Sequence, residues 1–457
     1  MRLPSMIIGL GLAASIAAAQ AAPAQIAGDW HGVISLPQGR SLPIILHVVV
    51  KGDRIKATLD SPAQNGFGLP VQEASLVGES LTLALPKLSA RYVATLHEQA
   101  QILDGRWFQG PASLPLILHH GTQAVASRPQ IPHPPFPYRS LEVAFDNPAG
   151  PSHLAGTLTL PEGKGPFPAV LLITGSGLQD RDETILGHKL FLLWADTLTR
   201  KGIAVLRVDD RQRGGSTGPV TSATTKDFAG DVEAGLRFLR DNPEIDPKRV
   251  GLMGHSEGGE IAAMIAARDD TLGFIVLLEA PPVPGRQIML AQRDWAMKQR
   301  KVPQAIARES DLDFVSILDA MTPDQTQQEA DKAADAVWNR RKDMTTGLPP
   351  EFRVLTTPAI RFMDRYDPSS DLSRVRCPVF AVVGERDRQV PPDIALPALR
   401  KALGGNKQAR IIELPGLNHL LQKAATGDSG EYGTIEEDID PGALAVVTDW
   451  IRSQTGQ

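Results

Sequence analysis

The chain has 457 residues, of which 22% are charged and 42% hydrophobic, and its formal net charge is −5. This length exceeds one ordinary domain, and the composition is that of a globular protein, so two domains are expected. A mildly acidic balance without a basic stripe argues against nucleic acid as a partner. Cys377 is the only cysteine, which excludes an internal disulfide and leaves stability to the core.

Residues 1–22 have the features of a signal peptide. Arg2 supplies a positive charge, residues 6–19 form an apolar run, and Ala19 and Ala21, either side of Gln20, offer a small-residue cleavage site. The apolar run is shorter than a membrane span requires, and no cysteine lies nearby to carry a lipid. We therefore expect cleavage near Ala21 or Ala22 and a periplasmic or secreted product without a stable membrane anchor.

Residues 26–125 are predicted to form a small all-β domain, either a barrel or a sandwich. Short β-rich runs alternate with turns at this end of the chain, at 42–50, 54–59, 80–85 and 114–119. Trp30 and Trp107 each stand two residues after a glycine, and closing the ends of a barrel is a more common role for them than ligand binding. The proline-rich stretch 126–138 is expected to be a stiff linker.

Residues 139–457 are predicted to form a second domain around a mostly parallel, doubly wound sheet. Its first two strands are expected to be antiparallel, and strands alternate with helices after them. A polar insertion at about 281–375 has helical segments and no strand pattern. We interpret this insertion as a helical lid over the site described next; the alternative is a subdomain with a structural role only.

The motif Gly254-His-Ser256-Glu-Gly258 follows an apolar run and precedes a small-residue run, which is typical of a strand, a tight turn and a helix. In this setting a serine between two glycines is the nucleophile-elbow pattern. Side chains at 254 or 258 would clash with the neighbouring helix and strand. Ser256 is therefore a candidate nucleophile; the alternative is a glycine-rich turn that only allows close packing.

A serine nucleophile needs a base and an acid, which in this architecture follow it in the order acid, then histidine. His419 is the only histidine after Ser256, and it lies just past a predicted strand at 409–414. Asp387 follows the preceding predicted strand, which ends at Gly384, and is the candidate acid. Glu385 is the competing candidate.

Two backbone N–H groups are expected to stabilise an oxyanion. Glu257 supplies one at the start of the helix after Ser256. The other is assigned to Ser176, in a glycine-rich loop after the predicted strand at 168–173, with Gly177 as the alternative donor. A glycine-rich turn without a catalytic role is the remaining interpretation of this loop.

Four stretches together resemble the α/β-hydrolases, and in particular an exported bacterial branch described as serine-aminopeptidase-like or dienelactone-hydrolase-like. The resemblance covers about residues 138–453, and the stretches are Thr174–Asp182, Val208–Ser216, Gly254–Gly259 and Gly384–Asp387. It implies an α/β-hydrolase fold, a Ser-Asp-His triad, no metal, and hydrolysis of an ester or an amide. Thr174, where many relatives have histidine, and Gln212, where Asp-Arg-Gly is usual, depart from the pattern and bear on substrate choice. The Gly-x-Trp opening of the first domain resembles a lipocalin-like barrel.

The expected chemistry is two-step acyl transfer on a small ester or a short peptide, without a cofactor. Small-ester hydrolysis is the leading hypothesis, because the sequence shows no pocket for a peptide amino terminus. A serine peptidase or aminopeptidase is the first alternative, and a ligand-binding protein with an inert hydrolase domain is the second. Metal-dependent hydrolysis has no support, since no metal-ligand motif occurs. The substrate, its acyl chain length and the oligomeric state stay open.

Overall fold

The computed structural model describes residues 23–35, 41–52, 54–61, 66–97, 101–110, 112–121, 128–342 and 345–457. The chain divides into two compact units, at 1–125 and 126–457. The predicted signal peptide and the first two residues of the predicted linker lie outside the described residues.

The first unit contains a nine-stranded antiparallel sheet in the order β4-β3-β2-β1-β9-β8-β7-β6-β5. A short 3₁₀ helix at Pro23–Ile26 precedes it, and another at Pro86–Leu88 interrupts it. The strands are β1 (Gly28–Ser35), β2 (Ser41–Lys51), β3 (Arg54–Ser61), β4 (Gly66–Pro70), β5 (Glu73–Val77), β6 (Ser80–Leu85), β7 (Ala90–His97), β8 (Ile102–Gln109) and β9 (Ala112–His120).

This sheet curls until its two edge strands, which are consecutive in sequence, approach each other. The two residues that join β4 to β5 bridge the strands next to them: the Val71 amide donates to Ala57 O on β3, and the Gln72 amide donates to Ala84 O on β6, both at 3.0 Å. Buried and exposed side chains alternate along the strands, as expected for a sheet with one face on the core. Trp30 lies in that core, and its indole N–H donates to Ile26 O at 2.9 Å.

The second unit contains an eight-stranded sheet in the order β10-β11-β15-β12-β16-β17-β18-β19. β10 pairs with β11, and β11 with β15, in antiparallel orientation. The remaining neighbours, β15-β12-β16-β17-β18-β19, are all parallel. The strands are β10 (Arg139–Asn147), β11 (Ser152–Leu160), β12 (Phe167–Ile173), β15 (Ala204–Val208), β16 (Ile245–His255), β17 (Phe274–Leu278), β18 (Val379–Gly384) and β19 (Ala409–Leu414). A separate two-stranded pair joins β13 (Thr184–Ile185) to β14 (His188–Lys189).

Helices cover both faces of this sheet. They are α1 (Leu190–Thr199), α2 (Thr225–Asp241), α3 (Glu257–Ala266), α4 (Gly285–Gln299), α5 (Gln304–Asp319), α6 (Gln327–Lys342), α7 (Pro358–Arg365), α8 (Pro368–Leu372), α9 (Pro392–Ala402) and α10 (Pro441–Thr455), with 3₁₀ segments at Pro350–Thr356 and Ser429–Thr434. Along β12, Leu171 packs in one core with α2, α3 and α9, whereas its neighbour Leu172 packs in the other with α1 and α10. Side chains of successive strand residues point to opposite faces, so a fully buried apolar strand serves two cores. The predicted doubly wound, mostly parallel sheet is confirmed.

The insertion between β17 and β18 is helical in its described residues and has a small core of its own around Phe314 and Ile317. Arg286 at the start of α4 pairs with Asp364 in α7 at 2.7 Å, which joins its two ends. Gln292 on α4 donates to the backbone oxygen of Gln389 at 2.8 Å. The insertion therefore contacts the loop after β18.

Candidate active site

Ser256 occupies a tight turn between the end of β16 and the start of α3. Its φ of +53° is unusual for a residue with a side chain, and it directs the chain from strand to helix within one residue. A Cβ at Gly254 would lie 2.1 Å from Gly258 O, and one at Gly258 would lie 2.1 Å from Ile173 O. Both positions are thus closed to larger residues by backbone atoms, for the reason expected from the motif.

Asp387 and His419 lie side by side on the loops that follow β18 and β19. The Asp387 Oδ2 and His419 Nδ1 atoms are 2.7 Å apart, and both residues are buried. The other oxygen, Oδ1, accepts the backbone N–H groups of Gln389 and Val390 at 2.7 and 2.9 Å, which fixes the carboxylate. Glu385, the competing candidate, instead accepts the Gly416 N–H at 2.7 Å.

His419 also adjoins the Ser256 turn through His255. The His255 Nε2 donates to His419 O at 2.9 Å, and the two imidazole ring centroids are 4.8 Å apart. The structure therefore brings Asp387 and His419 together and holds the His419 backbone to the residue before Ser256. The Ser256 hydroxyl and His419 Nε2 have no hydrogen-bond partner within the described residues.

The glycine-rich loop after β12 lies against the Ser256 turn. A Cβ at Gly175 would be 3.2 Å from Ser256 Cβ, so the two backbones are close. The backbone N–H groups of Ser176 and Glu257 have no acceptor in the part of the chain that the structure describes. Glu257 opens α3, so its N–H also lies at the positive end of the helix dipole. Gly177, the alternative to Ser176, has a φ of +94°.

Glu279 is a buried carboxyl that the sequence analysis did not select. It follows β17 directly, has a φ of +51°, and accepts the Gly384 N–H at 2.7 and 2.9 Å through its two oxygens. Burial raises the pKa of Glu279 well above its ordinary range, and the adjacent Asp387 carboxylate raises this pKa further. A neutral Glu279 can donate a hydrogen bond to Asp387. The signal in the sequence that could have identified Glu279 is its charge directly after the all-apolar strand β17.

Asp210 holds the glycine-rich loop from the other side. Its carboxylate accepts the Thr174 hydroxyl at 3.0 Å and the Gln179 N–H at 2.7 Å. Burial raises the pKa of Asp210 to about 7, against the effect of these hydrogen bonds. The pKa of its neighbour Asp209 is instead lowered despite burial, because the side chain and the backbone N–H of Arg181 donate to its carboxylate at 2.7 and 2.8 Å.

A cavity of about 50 Å³ lies beside the loop. Its polar lining includes Thr174, Asp210 and Glu257, and its apolar lining includes Phe228 and Ile261. Among the described residues, no group of three or more histidine, cysteine or carboxylate side chains is arranged to hold a metal ion. None of the helices in those ranges combines the length and apolar composition needed to cross a bilayer.

The chain shares sequence with known hydrolases. It is 31% identical over 274 residues to the esterase EstD of Thermotoga maritima, a stretch that covers 59% of this chain and 58% of EstD. The chain thus spans less than two thirds of that curated relative. A shorter stretch of 84 residues is 33% identical to the thiohydrolase apmlB of Arthrinium phaeospermum and covers 18% of this chain and 27% of apmlB.

Among solved structures, Est1E of Butyrivibrio proteoclasticus with bound ferulic acid has 17% identity and a TM-score of 0.41, covering 68% of this chain and 96% of Est1E. The α/β hydrolase GrgF of a Penicillium species has 17% identity and a TM-score of 0.44, covering 70% of this chain and all of GrgF. The model of the alpha/beta hydrolase family matches residues 170–427, which is more than half of the chain. The chain therefore belongs to the alpha/beta hydrolase family.

Proposed function

We propose that this protein is a serine hydrolase that cleaves small carboxylic esters through an acyl-enzyme intermediate. The observation that carries the proposal is the 2.7 Å contact between Asp387 and His419 beside a serine on a strained strand-to-helix turn. An imidazole held by a carboxylate through Nδ1 exposes Nε2 as a base, and a serine hydroxyl needs such a base to become a nucleophile.

In the proposed reaction, His419 Nε2 takes the Ser256 proton while the serine oxygen forms a bond to the ester carbonyl carbon. The carbonyl electron pair moves to the oxygen, where the amides of Ser176 and Glu257 stabilise the charge. The imidazolium gives its proton to the alcohol oxygen as the ester C–O bond breaks. Water, deprotonated by His419, then attacks the acyl-enzyme and releases the carboxylic acid and free Ser256. Asp387 orients the imidazole and stabilises its charged form.

An ester substrate is supported by the 31% identity to EstD, which is named an esterase. The helical insertion at 281–375 is proposed to act as a lid, since it contacts the loop that carries Asp387.

The test is an activity comparison between wild type and Ser256→Ala on short acyl esters and on aminoacyl anilides. Wild type should hydrolyse the esters faster and should be labelled by a fluorophosphonate probe; Ser256→Ala should do neither. Ser222→Ala, at an exposed serine in the turn before α2, is the matched control and should behave like wild type. Faster anilide cleavage would favour a peptidase, and wild type that neither reacts with the probe nor hydrolyses esters would refute the proposal.

Export is the second part of the proposal, together with membership of the exported branch that the motifs resemble. Its support is the charge, apolar run and small-residue site within residues 1–22. In this view the nine-stranded unit is a lipocalin-like module that accompanies the hydrolase out of the cytoplasm. Mass spectrometry of the protein from a periplasmic fraction should find a new amino terminus near residue 22. Absence of the protein from the periplasmic and secreted fractions would contradict export, and an intact Met1 there would contradict cleavage.

A further inference from the structure

A second carboxylate and histidine, Glu183 and His255, form a buried pair beside the proposed triad. Glu183 Oε1 lies 2.8 Å from His255 Nδ1, and the two residues are 0% and 4% exposed. Glu183 has a φ of +48°, so the chain holds it in a conformation that residues with side chains rarely adopt. Such strain persists only where the surroundings enforce it, and here the contacts of the buried side chain do so.

The hydrogen bonds of the pair fix one of its protons. His255 Nε2 must carry a proton, because its partner at 2.9 Å is the carbonyl oxygen of His419, which can only accept. Glu183 Oε1 also accepts the Gly175 N–H at 2.7 Å. Burial lowers the pKa of His255, but Glu183, the His419 carbonyl and Asp387 together raise it above its ordinary value. This direction favours a protonated imidazole facing Glu183.

The pair joins three segments that the proposed reaction needs in one place. Glu183 contacts Gly175, the residue before the Ser176 donor. His255 is the residue before Ser256 and bonds the backbone of His419. Asp387 holds the His419 ring from one side, and the Glu183–His255 pair holds its backbone from the other.

We propose that Glu183 and His255 are positioning residues, which hold the Ser176 amide, Ser256 and His419 in the geometry for acyl transfer. The inference rests on the proposed function of Ser256. Neither residue touches the reacting atoms in this assignment; each acts through the segment that it holds. Displacement of a catalytic group by about 1 Å costs roughly 100-fold in rate, so loss of the pair should lower kcat and leave KM nearly unchanged.

The first experiment compares Glu183→Ala with Glu183→Gln. The alanine removes both hydrogen bonds, and we expect kcat to fall about 100-fold with KM within about twofold of wild type. Both bonds fall on Oε1, so the glutamine amide oxygen can still accept the Gly175 N–H but carries no charge to face His255. Glu183→Gln should therefore be intermediate, with kcat about tenfold below wild type.

Glu260→Gln is the matched control, because Glu260 is also a buried carboxyl close to the Ser256 turn, on α3. Burial raises its pKa well above the ordinary range, so glutamine is isosteric with its neutral form and should leave kcat unchanged. Titration with a fluorophosphonate corrects every kcat for the fraction of folded, reactive protein, which separates positioning from simple unfolding.

His255→Gln provides the test if Glu183→Ala does not fold. We expect about a tenfold loss of kcat at constant KM, and no further loss when Glu183→Gln is added, because the two residues act as one unit. Wild-type kcat in folded Glu183→Ala or in His255→Gln, or Glu183→Gln as slow as Glu183→Ala, would overturn the inference while the hydrolase proposal stands. Failure of wild type to hydrolyse esters or react with the probe would instead refute the proposed function.

Discussion

Two carboxylate–histidine pairs lie next to each other in this protein, and they differ in what the second ring nitrogen does. In the Asp387–His419 pair, Nε2 makes no hydrogen bond within the described residues, so it is available to a substrate or to Ser256. In the Glu183–His255 pair, Nε2 donates to His419 O at 2.9 Å. A carboxylate paired with an imidazole thus gives a candidate base in one place and a purely structural contact in the other. The partner of the distal nitrogen decides the role.

The largest expected effect separates the two histidines. His419→Ala should lower kcat by at least about 10⁴-fold, because it removes the proposed base for the Ser256 hydroxyl. His255→Ala should lower kcat by only about 100-fold, because it disturbs geometry and leaves the base in place. Steady-state ester hydrolysis measures both. If His255→Ala were as slow as His419→Ala, the contrast between the pairs would be wrong.

Removing the carboxylate charge of the Asp387–His419 pair should have the next largest effect on kcat. Asp387→Asn should reduce kcat by about 10³- to 10⁴-fold, since the amide favours the wrong imidazole tautomer and does not stabilise the imidazolium. Glu385→Gln is the control, because its amide oxygen still accepts the Gly416 N–H. That variant should retain wild-type kcat; a loss in Glu385→Gln comparable to that in Asp387→Asn would make Glu385 the acid.

Asp210 contacts the same glycine-rich loop as Glu183 but is not paired with a histidine. We expect its substitution to change the free energy of unfolding. Its pKa in the folded protein is about 7, against about 4 for an unfolded chain. The unfolded state therefore binds fewer protons between these values, and stability falls as pH rises from about 4 to about 7. Asp210→Asn should remove this dependence and gain about 2 kcal/mol on wild type over that window.

Urea unfolding at pH 5 and pH 8 measures this difference. Thr174→Val is the control, because it removes one hydrogen bond to Asp210 but keeps the carboxyl, so its stability should still fall with pH. An Asp210→Asn protein with the same pH dependence as wild type would show that another group titrates.

The smallest effect is expected at Glu279, the second carboxyl beside Asp387. Burial and the adjacent Asp387 raise the pKa of Glu279 and so favour its neutral form, with which glutamine is isosteric; Glu279→Gln should therefore change kcat by less than about threefold. The unfolded chain ionises Glu279 above its ordinary pKa and the folded chain does not, so Glu279→Gln should gain stability over wild type as pH rises. Glu279→Ala should lose the contact with Gly384 and unfold at lower urea. A large loss of kcat in Glu279→Gln would indicate an ionised Glu279.

Much of the second domain could be predicted from local pattern. The apolar runs at 168–173 and 409–414 became β12 and β19 within a residue of their predicted ends, because parallel strands buried on both faces are nearly continuous runs of apolar residues. Strand ends were less certain where a polar segment joins the sheet: β16 begins at Ile245, four residues before the run 249–253 that precedes the Ser256 motif. There, Ile245 pairs with Phe167 of β12 and pairing resumes at Val250 after a register shift, so the strand assignment extends over the irregular residues between them.

The sequence by itself determined the alternation of strands and helices, the glycines that the Ser256 turn requires, and the order of Ser256, Asp387 and His419 along the chain. These features are local, or follow from the order of strands in the sheet. Only the tertiary structure decided that Glu183 faces His255, 72 residues away, and that Glu279 adjoins Asp387 across neighbouring strands. Hydrogen bonds and buried charges between distant residues leave no periodic trace in a sequence, because their energy depends on solvent exclusion and on partners that only folding supplies.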